Sequence, residues 1–386
     1  MSPQCEVAIV GWGHSDLIVE GDFDIAASCD RAIVAALGSA GVSVDQVDGL
    51  ATYARPAFPG PWVDGTNAMG VAAVLERMHL PSVTWFCEVE TGLSAASIVE
   101  AANAIRSGAC DVVVVWRAMA LAAGRYGASS APDEAAGDAA FTAPYGATAL
   151  LPWHALAYSR YRALASGSEA DLGRLVVDVH SAASKNPAAA RLKRPASVEE
   201  YLASPYVSDP LRRFDCDRPV AGSAAIVLAA TTTRPANERL AVIAGAAQNV
   251  PTPSVELHPV LGDEYGRGRA VADWLWKLTG ESASSMSVAQ LYDGFAPTVF
   301  YWIEALGFCD RGQAGPWYCS PDRTVSINTF GGSLGEGRLH GLGHVIEAAQ
   351  QVSGRAGDRQ IADCRTAAVT IGSPLINGGA FVLRTD

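Results

Sequence analysis

Apolar and small residues fall in short runs separated by longer amphipathic stretches, and the two alternate along most of the chain. Val7–Val10 has the length and composition of a buried strand. Gly11-Trp-Gly13 then suggests a tight strand-to-loop turn, before an alanine-rich helix over Asp24–Leu37. Gly49–Tyr53, Ser82–Phe86 and Asp111–Trp116 are strands by their β-branched and aromatic content. Pro56–Pro61 is turn-rich and predicts a loop, and Gly92–Ser107 predicts a helix. From Ala118 to about Ser208 the pattern is less regular, with helices around His154–Ser166 and Glu169–Ala183; Ala224–Ala230 then returns as a strand. The second half supplies a strand at Ala241–Ala244, a helix around Tyr265–Leu278, a strand near Val288–Leu291 and a helix around Pro297–Leu306, and its elements run on to Phe381–Leu383. Such alternation predicts a mainly parallel sheet with helices on both faces.

One comparison within the chain changes this picture. Ser82–Phe86, a glycine-containing turn, a helix ending at Ile105–Gly108 and the strand Asp111–Trp116 form one unit. Val325–Thr329, a glycine-rich turn, a helix ending at Gln350–Gly354 and the strand Thr366–Ile371 form another, in the same order and at like spacing. The chain therefore divides into two duplicated halves, residues 1–238 with an insertion at about 118–208, and residues 239–386.

Composition narrows the class. Hydrophobic residues make up 49% of the 386 and charged ones 18%, which suits a chain with a large core rather than a disordered one. No apolar run approaches the roughly 20 residues of a membrane-spanning helix. Met1–Cys5 carries no basic segment followed by an apolar one, so the expectation is a cytoplasmic enzyme. The 28 basic and 40 acidic residues give a net charge of −12, which opposes nucleic-acid binding. Eight scattered cysteines without a Cys-x-x-Cys pair argue against a disulfide framework or a zinc ribbon, and no metal is expected in this chain.

Gly11-Trp-Gly13-His-Ser-Asp16 begins like a dinucleotide fingerprint but lacks its third glycine, and no phosphate loop or Gly-x-Ser-x-Gly elbow occurs. Five other segments carry more. They are Cys87–Ala96, Asp209–Ala225, Leu291-Tyr-Asp-Gly-Phe295, Asn328–Gly341 and Ile376-Asn-Gly-Gly-Ala-Phe381. In this order, and with the duplication, the chain resembles the thiolase superfamily, in particular its sterol-carrier-protein-type branch, over Val7 to Arg384. The resemblance implies a five-layered αβαβα fold and a dimer acting on acyl-CoA thioesters.

The departures from that family are chemical. A thiolase carries a cysteine nucleophile at the strand-to-helix turn, because a thiolate accepts the acyl group. Here the turn is Val89-Glu-Thr-Gly92, and Cys87 lies upstream of it. The histidine of the family's His-Asp-x-Phe motif is replaced by Tyr292, and the His-Pro of its Gly-His-Pro motif by Arg338 and Leu339. This pattern, with Gly335-Glu-Gly-Arg-Leu-His-Gly341 and Trp116-Arg-Ala118, is similar to the steroid side-chain-cleaving aldolases, in which a second tyrosine stands where this chain has Arg338.

That branch implies retro-aldol cleavage of a β-hydroxyacyl-CoA steroid side chain, giving a steroid ketone or aldehyde plus propionyl-CoA or acetyl-CoA. The catalytic candidates are Tyr292, Arg338 and His340. Tyr292 takes the hydroxyl proton, Arg338 favours its phenolate or binds the enolate oxygen, and His340 relays a proton or makes a structural hydrogen bond. Glu90, Thr91 and Asp293 are substrate-binding candidates, with backbone amides near Gly331, Gly332, Gly378 and Gly379 as donors. The branch also implies a small OB-fold, zinc-ribbon partner that holds any zinc, while this chain has no cofactor beyond the CoA of its substrate. A thiolase or acyltransferase using Cys87, and a non-catalytic lipid- or acyl-CoA-binding paralogue, are the alternatives.

Overall fold

The computed structural model describes residues 5–53, 69–89, 93–119, 140–141, 143–147, 150–234, 238–249, 266–376 and 378–386. The expected Pro56–Pro61 loop lies outside them. In the first half the strands are β1 (Val7–His14), β2 (Gly49–Thr52), β3 (Trp85–Glu88), β4 (Val112–Met119), the small pair β5 (Tyr206–Ser208) and β6 (Leu211–Arg212), and β7 (Gly222–Ala230). The second half supplies β8 (Ala241–Gln248), β9 (Val288–Gln290), β10 (Ser326–Ile327), β11 (Thr366–Ile371) and β12 (Gly379–Thr385).

Ten of these strands form one sheet in the order β10-β9-β11-β12-β8-β1-β7-β4-β2-β3. From its outer edge to the middle, the first half runs β3-β2-β4-β7-β1 and the second β10-β9-β11-β12-β8, one order repeated in both halves. The halves meet where β1 and β8 pair antiparallel, Ala8 with Val242 and Ile9 with Ala241. The expectation of a mainly parallel sheet is corrected here. β2 and β9 pair parallel with both neighbours, but the five junctions among β4, β7, β1, β8, β12 and β11 are antiparallel. Apolar runs report burial on both faces and carry no information on strand direction.

Alternation within the strands builds the layers. In β4, Val113 and Val115 face inward with Ile226 and Leu228 of β7, against the helix Leu93–Ser107. Val369 and Ile371 of β11 and Phe381 of β12 reach the same core from the other half, with Val345 and Ile346 of the helix Leu342–Val352. Val112, Val114 and Val227 face the opposite way, onto the helix Ile25–Ala40. Ala289 and Val382 turn outward to the helices Gly266–Thr279 and Pro297–Leu306. The result is helix, sheet, helix, sheet, helix: the αβαβα fold.

Gly11 and Gly13 have a different role from the expected turn. Both lie inside β1, which runs on to His14, and their missing side chains let the helix Ile25–Ala40 settle on the strand. A Cβ at Gly11 would stand 2.5 Å from the Ala36 carbonyl oxygen. The helix is started by Asp24, whose carboxylate accepts from the amides of Ala26 and Ala27 at 3.0 Å, and ended by Gly41 at φ 63°. Replacing Gly11 with alanine is expected to cost about 1–3 kcal/mol through overpacking. Thermal unfolding checks this; an unchanged midpoint would mean that the helix is not seated on β1 through this contact.

Candidate active site

Two loops of the second half carry the expected catalytic residues. The first follows β9 and begins Leu291-Tyr-Asp-Gly. Asn328 clamps it, accepting from the Leu291 amide at 2.6 Å and donating to the Leu291 carbonyl at 2.8 Å. The Tyr292 amide donates to Thr370 Oγ1 at 2.9 Å. The backbone of Tyr292 is therefore held from β11 and that of its neighbour Leu291 from the residue after β10, and the Tyr292 ring folds back over Gly294 and lies 5.7 Å from the ring of His344.

Asp293 joins that loop to the second one. Its fully buried carboxylate accepts from the amides of Ser333 at 2.7 Å and Leu334 at 3.3 Å, the start of the short helix Gly332–Glu336. It also bonds His344 Nε2 at 3.0 Å. Those three bonds make Asp293 an anchor between protein elements. A Cβ at Gly332 would overlap the Asp293 carboxylate, and the backbone there has φ 58°, so only glycine fits.

Arg338 and His340 leave this helix in opposite electrostatic states. Arg338 is 5% exposed, and its Nε lies 3.1 Å from both carboxylate oxygens of Asp217. Asp217 is itself pinned, its amide donating to the Gly294 carbonyl at 3.1 Å. His340 sits in the left-handed region at φ 50°, with its ring 5.9 Å from that of Tyr53. Burial, then the positive charges of Arg117 and Arg338, drive its pKa well below the ordinary value, so the imidazole is neutral. Its buried Nδ1 has no hydrogen-bond partner.

Tyr292 is pushed the other way. Burial raises its pKa well above the ordinary tyrosine value, Asp217, Asp293 and Tyr53 raise it further, and Arg117 opposes them. The cation that favours the Tyr292 phenolate is thus Arg117, while Arg338 is met by Asp217. Sequence reasoning gave Arg117 no role. Its signal is a charge on a strand face otherwise made of Val113 and Val115, a position that repays attention whenever the strand is buried on both sides.

The other candidates are placed as follows. Glu90 and Thr91 lie outside the described residues. Gly331 packs against Ala183, and its amide donates to the Asn328 carbonyl at 3.0 Å. The Gly378 amide donates to Asn249 Oδ1 at 2.7 Å, and a Cβ there would stand 2.6 Å from the Trp302 ring. A Cβ at Gly379 would stand 2.7 Å from the Ala95 Cβ. The amides of Gly331 and Gly378 are therefore already taken, and these glycines serve close packing. Beside the loops, Arg191, Lys193, Arg213 and Arg218 line a cavity of about 310 Å³, with one carboxylate, Glu20, among its other walls. The Arg218 carbonyl accepts the Arg338 amide at 3.1 Å, which joins this cationic cavity to the site.

Residues 276–385 match the Thiolase C-terminal domain-like family. A 17-hydroxy-3-oxo-4-pregnene-20-carboxyl-CoA lyase of Mycobacterium tuberculosis is 30% identical over 366 residues, covering 90% of this chain and 92% of the relative. The chain belongs to the thiolase superfamily, in its aldolase branch. A steroid side-chain-cleaving aldolase of Thermomonospora curvata is 29% identical to this aldolase across 97% of each chain. The solved Ltp2-ChsH2(DUF35) aldolase superposes with a TM-score of 0.85 at 26% identity, over 100% of this chain and 99% of that one. A monomeric SCP2-thiolase like protein of Mycobacterium smegmatis shares the fold, with a TM-score of 0.72 at 18% identity, over 100% of this chain and 79% of that one.

Cys87 of this aldolase stands on the edge strand β3. Burial, Glu100 and Glu88 all push its thiol pKa up, the reverse of what a nucleophilic thiolate needs. Cys87→Ala is expected to keep turnover within about twofold of the parent, because transition-state chemistry here does not pass through sulfur. A loss of acyl-CoA turnover in that variant, or an acyl-enzyme mass shift in the parent, would reinstate the thiolase reading.

Proposed function

We propose that this aldolase cleaves the side chain of a steroid β-hydroxyacyl-CoA by a retro-aldol reaction. The observation that carries the reading is that Tyr292, where a thiolase has a histidine, and neutral His340 both lie within electrostatic reach of cationic Arg117, within a fold whose loop anchors are intact. A group takes the proton of the β-hydroxyl, and the Cα–Cβ bond breaks with its electron pair moving into the thioester as an enolate. The β-carbon becomes the ketone or aldehyde, and the enolate takes a proton at Cα to leave propionyl-CoA or acetyl-CoA. No acyl-enzyme is required.

Because burial and two carboxylates keep Tyr292 protonated at rest, it acts as one member of a relay, accepting the substrate proton as it passes on its own. The neutral His340 ring, with Nδ1 lacking a partner, offers a lone pair for that proton. The cationic cavity beside Arg338 suits the phosphates of CoA, because guanidinium groups pair with phosphate oxygens and a cleft of one charge sign concentrates the opposite one. The M. tuberculosis relative supports the steroid CoA thioester as substrate class.

The assembly expected from the sequence is part of this reading. β3 ends the sheet with one hydrogen-bonded neighbour, and Phe86 on it is 65% exposed, which favours pairing with a second copy. The Ltp2-ChsH2(DUF35) neighbour is a complex with a DUF35 protein, which supports a second partner for this chain; the OB-fold and zinc ribbon of that partner follow from the sequence resemblance alone. Among the described residues no three His, Cys, Asp or Glu side chains converge on a metal position, and no helix is long and apolar enough to cross a membrane.

Tyr292→Phe removes one hydroxyl and is expected to lower retro-aldol turnover on the order of 10²-fold or more, as loss of a proton-transfer group does. Product assays on 17-hydroxy and 22-hydroxy steroid-CoA thioesters, with the partner present, check this. Near-normal turnover by the variant would sink the assignment of Tyr292.

A further inference from the structure

Arg117 is 1% exposed and sits in the middle layer on the same face of β4 as Val113 and Val115. One of its N–H groups donates to the Tyr53 carbonyl, and its guanidinium carbon lies 4.6 Å above the centre of the Tyr53 ring, so the side chain is held from two directions. Its Nε is buried without a hydrogen-bond partner, and among the described residues no carboxylate pairs with it. Other arginines with buried or nearly buried side chains are matched: Arg338 by Asp217, Arg212 by Glu169 and Arg359 by Glu347. A buried guanidinium without a counter-charge is costly, and an anion arriving with the ligand removes that cost. Among the described residues, Tyr53, Tyr292 and His340 lie within electrostatic reach of it, and burial keeps Tyr292 and His340 uncharged at rest.

We propose that Arg117 is a catalytic residue that holds the thioester oxygen as the enolate forms. The assignment rests on the aldolase reading above and deepens it. As the Cα–Cβ bond breaks, its electron pair delocalises onto the thioester oxygen, and the fixed positive charge of Arg117 meets the negative charge that develops there. In the resting enzyme no carboxylate of the described residues neutralises that charge, so the transition state is where the site becomes balanced. Arg338 differs in having a carboxylate beside it, its Nε donating to both oxygens of Asp217, so its charge is already balanced.

The test compares Arg117→Gln and Arg117→Lys with the parent on the 17-hydroxy and 22-hydroxy steroid-CoA thioesters, with kcat and KM measured separately and folding followed by thermal unfolding. Loss of one oxyanion donor is expected to lower kcat of the glutamine variant on the order of 10²–10³-fold with little change in KM, and the lysine variant falls between. A folded glutamine variant with kcat within about threefold of the parent overturns the proposal, since a merely structural arginine would lower the unfolding midpoint and spare kcat. If neither variant folds, Arg117→Met, which keeps the length of the side chain without its charge, takes their place: a folded methionine variant that exchanges the α-hydrogens of propionyl-CoA in D₂O at the parent's rate overturns the assignment, and loss of that exchange supports it. A parent enzyme that cleaves neither thioester overturns the aldolase reading itself, a result distinct from either variant's failure.

Discussion

The carboxylate of Asp293 sets the shape on which the site depends. It is buried, it caps the start of the helix Gly332–Glu336 through two amides, and it fixes His344 through a third bond. A negative charge at a helix N-terminus is favourable, and here it also ties the loop after β9 to the loop after β10. Tyr292 precedes Asp293 directly, so its backbone position follows from the anchor. Gly332 is obligatory for the same reason, because any side chain would occupy the space of the carboxylate. This scaffolding makes no reference to which residue performs the chemistry. A histidine or a tyrosine at position 292 leaves the anchor bonds unchanged, which is how a fold can exchange its reacting groups and keep its loops.

The exchange has electrostatic consequences. A thiolase-like cysteine and histidines would share protons near neutrality. Here burial dominates: it keeps Tyr292 protonated and His340 neutral, and it lowers the pKa of Arg117 to about 10, still cationic at neutral pH. The resting site thus contains one unbalanced positive charge and two neutral groups able to carry protons. An enolate, unlike an acyl-enzyme, presents its negative charge without a covalent bond to the protein, and this distribution suits it.

Much of this was legible in the residues, and the failures have physical causes. Strands buried on both faces gave unbroken apolar runs, so β4, β7 and β11 were found close to their observed limits. Their directions were not, since burial is the same for parallel and antiparallel pairs. Gly11-Trp-Gly13 suggested a turn because glycine is commonest there, yet its function is close approach of a helix, which requires knowing what lies opposite. The same ambiguity affects Gly331 and Gly378: glycine signals that something comes close, and the partners are Ala183 and the Trp302 ring rather than a ligand. Tyr292 and Arg338 were found through the motifs they interrupt. Arg117 enters the sequence reading only within the Trp116-Arg-Ala118 wording, and its place on the strand face of Val113 and Val115 marks it as a charge in the middle layer.

The pairing of Arg338 shows how its substitution was absorbed. An arginine in a buried loop needs an acid, and Asp217 stands in reach because the segment Asp215–Asp217 is laced to the Tyr292 loop. Ala296 donates its amide to the Asp215 carbonyl at 2.7 Å, Cys216 bridges to Phe295, and Asp217 donates its amide to the Gly294 carbonyl. The Asp-Cys-Asp run therefore belongs to both halves of the chain at once. Its first carboxylate is held by Tyr201, at 2.8 Å, and by the Arg212 amide, at 2.6 Å; its last is given to Arg338. With Asp217 committed to Arg338 in this way, no carboxylate among the described residues is left to pair with Arg117. The same local pairing that makes Arg338 tolerable thus preserves the positive charge that the reaction can use.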